Sequence, residues 1–231
     1  MKKISTILLM YLLVSFESSF AQEAKKHTHK NRLSIGVVAS PDLYIYDFKQ
    51  NGLAKPSYNA KLNYSIGATI IYHPIKFITL RGSLLYSQKG YAVDYSAAST
   101  TPQNLVPSDK DFNVNYLDVP LMLNMNLIHK DHIHLFISGG FVPSILLNKA
   151  VTYDVKQGDP VPNSAEDLKS INPFFAGISY SIGVKYNLTE WLGAGFEPYF
   201  RTSLNKVDDA MNGKPVSFGG KVSFVINFNH Y

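Results

Sequence analysis

The 231-residue chain contains no cysteine, 22 Lys and Arg against 17 Asp and Glu, 13% aromatic residues and only 17% charged residues. The lack of cysteine excludes a disulfide framework and a lipidated cysteine after a leader, and a charge content below the roughly 25% of ordinary soluble domains points to a surface that meets something besides water. The formal charge of +5 carries no nucleic-acid signal, because several of the cations crowd the N-terminus at Lys2, Lys3, Lys25, Lys26, Lys30 and Arg32 and no basic stripe follows.

Met1-Lys2-Lys3, the apolar run Ile4 to Phe16 and the small residues in Ser18-Ser19-Phe20-Ala21 predict a secretory signal peptide over residues 1–21, cut before Gln22. The run is shorter than the roughly 20 apolar residues of a membrane anchor. Residues 22–31 are polar and aperiodic, which predicts a flexible lead-in, and residues 32–231 are expected to form one β domain.

Eight segments then alternate apolar with small or polar residues, the period of two that a strand imposes. Leu33, Ile35 and Val37 oppose Ser34 and Gly36. Leu62, Tyr64, Ile66, Ala68, Ile70 and Tyr72 oppose Lys61, Asn63, Ser65, Gly67 and Thr69. Ile78, Leu80, Leu84 and Tyr86 oppose Thr79, Arg81, Ser83 and Ser87. Leu117, Val119, Leu121, Leu123, Met125 and Leu127 oppose Tyr116, Asp118, Pro120, Asn124 and Asn126, and Ile133, Leu135 and Ile137 oppose His132, His134 and Ser138. The last three segments alternate most cleanly, with Ile178, Tyr180, Ile182, Val184 and Tyr186, then Leu192, Ala194, Phe196, Phe200 and Leu204, then Val216, Phe218, Val222, Phe224, Ile226 and Phe228 on the greasy side.

Connections of alternating length decide the architecture. His73-Pro74, Ile128 to Asp131 and Asn187 to Glu190 are tight hairpins, whereas Ile45 to Ala60, Gly90 to Asp111, Asn148 to Pro173 and Asn205 to Pro215 are long and turn-rich. An up-and-down barrel with both termini at the short-turn end satisfies this order, and it matches the membrane rule of short periplasmic turns and longer outside loops. A soluble barrel would carry Lys, Glu and Asp on its outer face. Here the polar face is mostly Gly, Ser, Thr and Asn, which suits a narrow interior, so the greasy face is expected to meet lipid. Tyr64, Tyr72, Tyr86, Tyr180, Tyr186 and Trp191 fall mostly near strand ends, as an interfacial aromatic girdle would.

Tyr116-Leu117-Asp118-Val119-Pro120-Leu121 resembles the Tyr-Leu-Glu-Ile-Pro-Leu fourth strand of the Bacteroidota outer membrane protein β-barrel domain family, also labelled porin-like or PorT, with Asp118 in place of Glu. Phe136 to Phe141 (FISGGF), Ile182-Gly183-Val184 leading to Glu197, Tyr199 and Arg201, and the leader ending Phe20-Ala21-Gln22 support the resemblance. It implies an eight-stranded antiparallel up-and-down transmembrane β-barrel, OmpA/OmpX-like, in the outer membrane of a Gram-negative cell, with outer-membrane lipid as its surroundings and a link to protein secretion.

Six charged residues share the inward parity: Arg81, Asp118, Lys185, Glu197, Arg201 and Lys221. Symmetric pairing predicts that Arg81 neighbours Asp118, and that Lys221 lies close to both Glu197 and Arg201. Charges in so narrow a lumen need partners, so a structural network is expected ahead of a selectivity filter. The histidines do not assemble a catalytic set: His27 and His29 lie in the lead-in, His73, His129, His132 and His134 near the short turns, and His230 at the end. His132 and His134, at i and i+2 on one strand, have no nearby carboxylate beyond Asp131 to complete a metal site, and neither a metal nor a cofactor is expected. Tyr91, Tyr95, Tyr153, Phe174 and Phe175 fall in or beside the long loops and could form a contact surface for a protein or small-ligand partner. The reading is a non-enzymatic scaffold presenting four long extracellular loops, with a small-solute pore and then an outer-membrane enzyme as alternatives, and no nucleic-acid partner.

Overall fold

The structure is a computed structural model that describes residues 33–45, 57–59, 61–94, 109–130, 132–154, 171–207 and 214–228. The leader and lead-in expected over residues 1–31 lie outside the described residues. Eleven strand segments follow one another: β1 (Leu33–Ile45), β2 (Ser57–Asn59), β3 (Lys61–Ile75), β4 (Ile78–Gln88), β5 (Tyr91–Asp94), β6 (Asp109–Asp118), β7 (Leu121–His129), β8 (Ile133–Asp154), β9 (Phe174–Asn187), β10 (Leu192–Ser203) and β11 (Val216–Asn227). All pairings are antiparallel, and the segments form a closed ring of eight strands in which β6 and β7 act as one strand interrupted at Val119-Pro120. Closure comes from β1 against β11, with Ile35 opposite Ile226 and Val37 opposite Phe224. With no free edge along the ring, the backbone groups are satisfied without water, which a sheet in hydrocarbon requires.

The alternation in the sequence becomes an inside and an outside. Every second residue of β1 is buried from Ser34 to Tyr44. The apolar parity faces out: Leu62 is 70% exposed, Val37 60%, Ile66 54% and Phe224 50%, as a lipid-facing surface requires. Tyr64, Tyr72, Tyr86, Tyr180, Tyr186 and Trp191 all lie on this outer face. The inward parity buries Ser40, Asn63, Ser65, Thr69, Ser87, Ser144 and Ser179. It is less purely polar than expected, since Val38, Ile71, Leu85, Met122, Phe136, Val142 and Val225 are also buried there. A narrow interior filled by side chains accepts hydrocarbon wherever no charge needs a neighbour.

Two boundaries differ from the sequence expectation. The first hairpin turns at residues 76–77 rather than at His73-Pro74, because β3 pairs as far as Ile75 opposite Ile78. Parts of the expected long connections are strand: β5 pairs with β6, β2 pairs with β5, and β6 pairs with β8 as far as Asp109 opposite Asp154. This wall of β2, β5, β6 and β8 continues past the ends of β9 and β10, so the ring is taller on one side at its long-loop end.

Candidate functional site

Because the ring turns its apolar face outward, its chemistry collects in the lumen, in layers between the short turns and the long loops. Nearest the short turns, Lys185 Nζ donates to Asn227 Oδ1 at 3.0 Å, and Ser34 Oγ donates to the same oxygen at 2.9 Å. In the middle, Arg81 donates two hydrogen bonds to Glu197, Nη1 to Oε2 at 2.5 Å and Nη2 to Oε1 at 2.7 Å. Lys221 Nζ at 3.1 Å and Ser181 Oγ at 2.7 Å complete the shell of that carboxylate.

The next layer holds two carboxylates. Asp42 accepts from Ser40 and Ser65, each at 2.5 Å, and from the Tyr199 hydroxyl. Asp118 accepts from the Lys89 ammonium and from Arg201 Nη1 at 2.9 Å, while Lys89 also donates to Ser144 Oγ at 3.2 Å. Neither Lys89 nor Asp118 has any exposed side-chain surface. Burying charges this far is tolerable only when each has several partners, and each of these carboxylates does.

Toward the long loops the lumen turns apolar. The Lys89 ammonium lies 4.7 Å from the Tyr116 ring centre and 5.3 Å from that of Phe175. Those rings belong to a buried cluster with Tyr91, Phe112, Val114, Ile171 and Val207. Tyr91 stacks on Phe112 at 4.6 Å, and Tyr116 donates to the carbonyl of Asn172 at 2.9 Å. Lys61 and Asp111 pair at 2.6 Å beside this cluster.

All six residues expected in the lumen from the sequence lie on its inner wall, but not all with the expected neighbours. Arg81 does not meet Asp118: the register sets Arg81 opposite Met122 and Asp118 opposite Leu85. Arg81 instead crosses the lumen to Glu197. Lys221 lies opposite Glu197, as counting residues suggested, whereas Arg201 joins Asp118 and not Lys221. The expected loop surface is also corrected in part, since Tyr91 and Phe175 are buried in the apolar cluster and Phe174 points outward. Tyr95 lies outside the described residues.

Asp42, Tyr44 and Lys89 were missed by the sequence reading, and Tyr199 entered it only through the family resemblance. Their signal was present. Asp42 and Tyr44 continue the parity of Ser34, Lys89 continues that of Arg81, and Tyr199 stands between Glu197 and Arg201 on one face. Among the described residues no group of three or more metal-ligating side chains forms.

A family model described as the outer membrane protein beta-barrel domain matches residues 20–209. The chain belongs to that family. The outer membrane is therefore where the protein resides, and its exposed apolar band faces lipid. Among solved structures the chain is similar to the outer membrane protein OprG from Pseudomonas aeruginosa, with 12% identity, 87% of this chain and 98% of that one covered, and a TM-score of 0.50. Neisserial surface protein A gives 12%, 87%, 100% and 0.47, and the attachment invasion locus protein Ail of Yersinia pestis gives 12%, 86%, 99% and 0.44. At such identities the likeness concerns the fold alone, and the two scores below 0.5 add nothing to it. No protein of curated function matches the chain.

Proposed function

We propose that this member of the family is a non-enzymatic, non-conducting scaffold that presents its four long loops outside the cell. One observation carries the reading: Lys89, Asp118 and Arg201 form an almost wholly buried layer inside the ring, and an apolar cluster lies beside it toward the long loops. An eight-stranded ring leaves an interior about filled by side chains, and here the filling is cross-linked by charge. The long-loop end is the outer one by the general rule for such barrels. The loops are then the surface available to a protein or small-ligand partner, and a role in the envelope or in secretion, as the PorT resemblance implies, fits a protein whose wall and lumen are both spoken for.

Single-channel recording in planar bilayers tests the reading. Purified, folded protein is expected to give no discrete conductance steps. Reproducible steps would overturn the scaffold and install the small-solute pore in its place.

A further inference from the structure

Between Arg81, Lys221 and the inner wall lies a cavity of about 30 Å³, with Thr69, Ser83 and Ser223 on its border. Its cations outnumber its carboxylates, Arg81 and Lys221 against Glu197. A guanidinium carries five N–H donors and an ammonium three, whereas a carboxylate offers about four lone-pair positions. Glu197 already receives two bonds from Arg81, one from Lys221 and one from Ser181, which saturates it. Of the rest of the lining, Val38, Ile71, Leu85 and Met122 offer no side-chain acceptor, and Thr69, Ser83 and Ser223 offer only neutral hydroxyls.

The charge is unbalanced at the same place. Lys89 and Arg201 face Asp118 and Asp42 in the adjoining layer, cation for carboxylate, through direct bonds and through Tyr199. Among the described residues Arg81 and Lys221 share Glu197 alone. Their side chains are only 12% and 9% exposed, so the surplus positive charge is largely removed from bulk water. Water can satisfy the leftover donors but cannot compensate the charge, and an uncompensated buried charge is costly.

We propose that this cavity binds one small monovalent anion of halide size, held by Arg81 and Lys221. The volume is that of one or two waters at about 10–15 Å³ each, which admits a halide and excludes sulfate, phosphate esters or carboxylated metabolites. The site is independent of conduction, since it requires only a local excess of buried cations.

Crystals of the full protein grown or soaked in bromide test it directly. Anomalous difference density is expected in the lumen within hydrogen-bond distance of Arg81 and Lys221. In detergent, the unfolding midpoint is expected to rise by a few degrees when chloride or bromide replaces gluconate at equal ionic strength, because a ligand of the folded state stabilises it. Lys221→Met should abolish most of that rise. Bromide only at the protein surface, or equal midpoints in halide and gluconate, would overturn the site and leave a cavity that holds water. Should Lys221→Met fail to fold, the bromide density in the unaltered protein still decides.

Discussion

Glu197 is the residue on which two cations depend. Replacing it with Leu leaves Arg81 and Lys221 facing each other in the lumen with no carboxylate between them, and breaking a buried pair in this way costs on the order of 3–5 kcal/mol. Urea unfolding of the variant in lipid vesicles should show a midpoint well below that of the unaltered protein. An unchanged midpoint would mean that the network adds nothing to the fold. Asp118→Asn makes a graded comparison, because it preserves shape while leaving the ammonium of Lys89 and the guanidinium of Arg201, both almost without exposed surface, without their shared charge. Its loss should exceed that of Lys185→Met, since Lys185 is only half-buried and its partner Asn227 is neutral. If the two variants melt together, the distinction between layers has no energetic meaning.

At the scale of the strand, two large rings fit the narrow lumen because the neighbouring strand supplies glycine. Phe136 on β8 lies opposite Gly183 on β9, and Tyr199 on β10 lies opposite Gly219 on β11. A Cβ at Gly183 would run into the Phe136 ring, and one at Gly219 would crowd both Tyr199 and the Asp42 carboxylate. Phe136 in turn lies beneath the Arg81 guanidinium, 5.9 Å from ring centre to Cζ, so its place bears on the charged layer. Gly183→Val should therefore lower the fraction of chain that reaches the compact, heat-modifiable form on a gel, whereas Gly139→Ala on the same hairpin should not, because the nearest atom to a Cβ there is a Tyr180 ring carbon at an ordinary 3.8 Å. Equal folding yields for the two would sink the idea that these glycines make room for the rings. Strand ends illustrate a different limit. The turn residues His73-Pro74 are absorbed into β3 because Ile75 still finds Ile78 across the hairpin, and pairing outlasts local turn preference when a partner is in register.

For the molecule as a whole, the governing fact is which face meets hydrocarbon. Phe224→Arg, placed on the outer wall opposite Val37, should destabilise the folded state by about 2–4 kcal/mol if it lies near the bilayer midplane. Lipid-soluble probes should react at cysteines introduced for Phe218, Phe224 and Ile182 but not at those introduced for Ser181 and Ser223. The reverse pattern would turn the barrel inside out and remove it from the membrane. After carbonate washing the protein should remain with the outer-membrane fraction.

What residue order determined was local: the period of two, the opposition of greasy and small side chains, and the alternation of short and long connections. These suffice for a closed antiparallel ring with its apolar face outward, because a strand's two faces are set by neighbours two positions apart. Asp42, Lys89 and Tyr199 are legible by the same rule, since each keeps the parity of a polar residue two positions before it: Ser40, Ser87 and Glu197. The partners of the charges were not legible. Arg81 and Glu197 stand 116 positions apart and meet across the lumen rather than between adjacent strands. Which cation reaches which carboxylate depends on the register of every strand between them and on the width of the closed ring, and only the tertiary structure decides both.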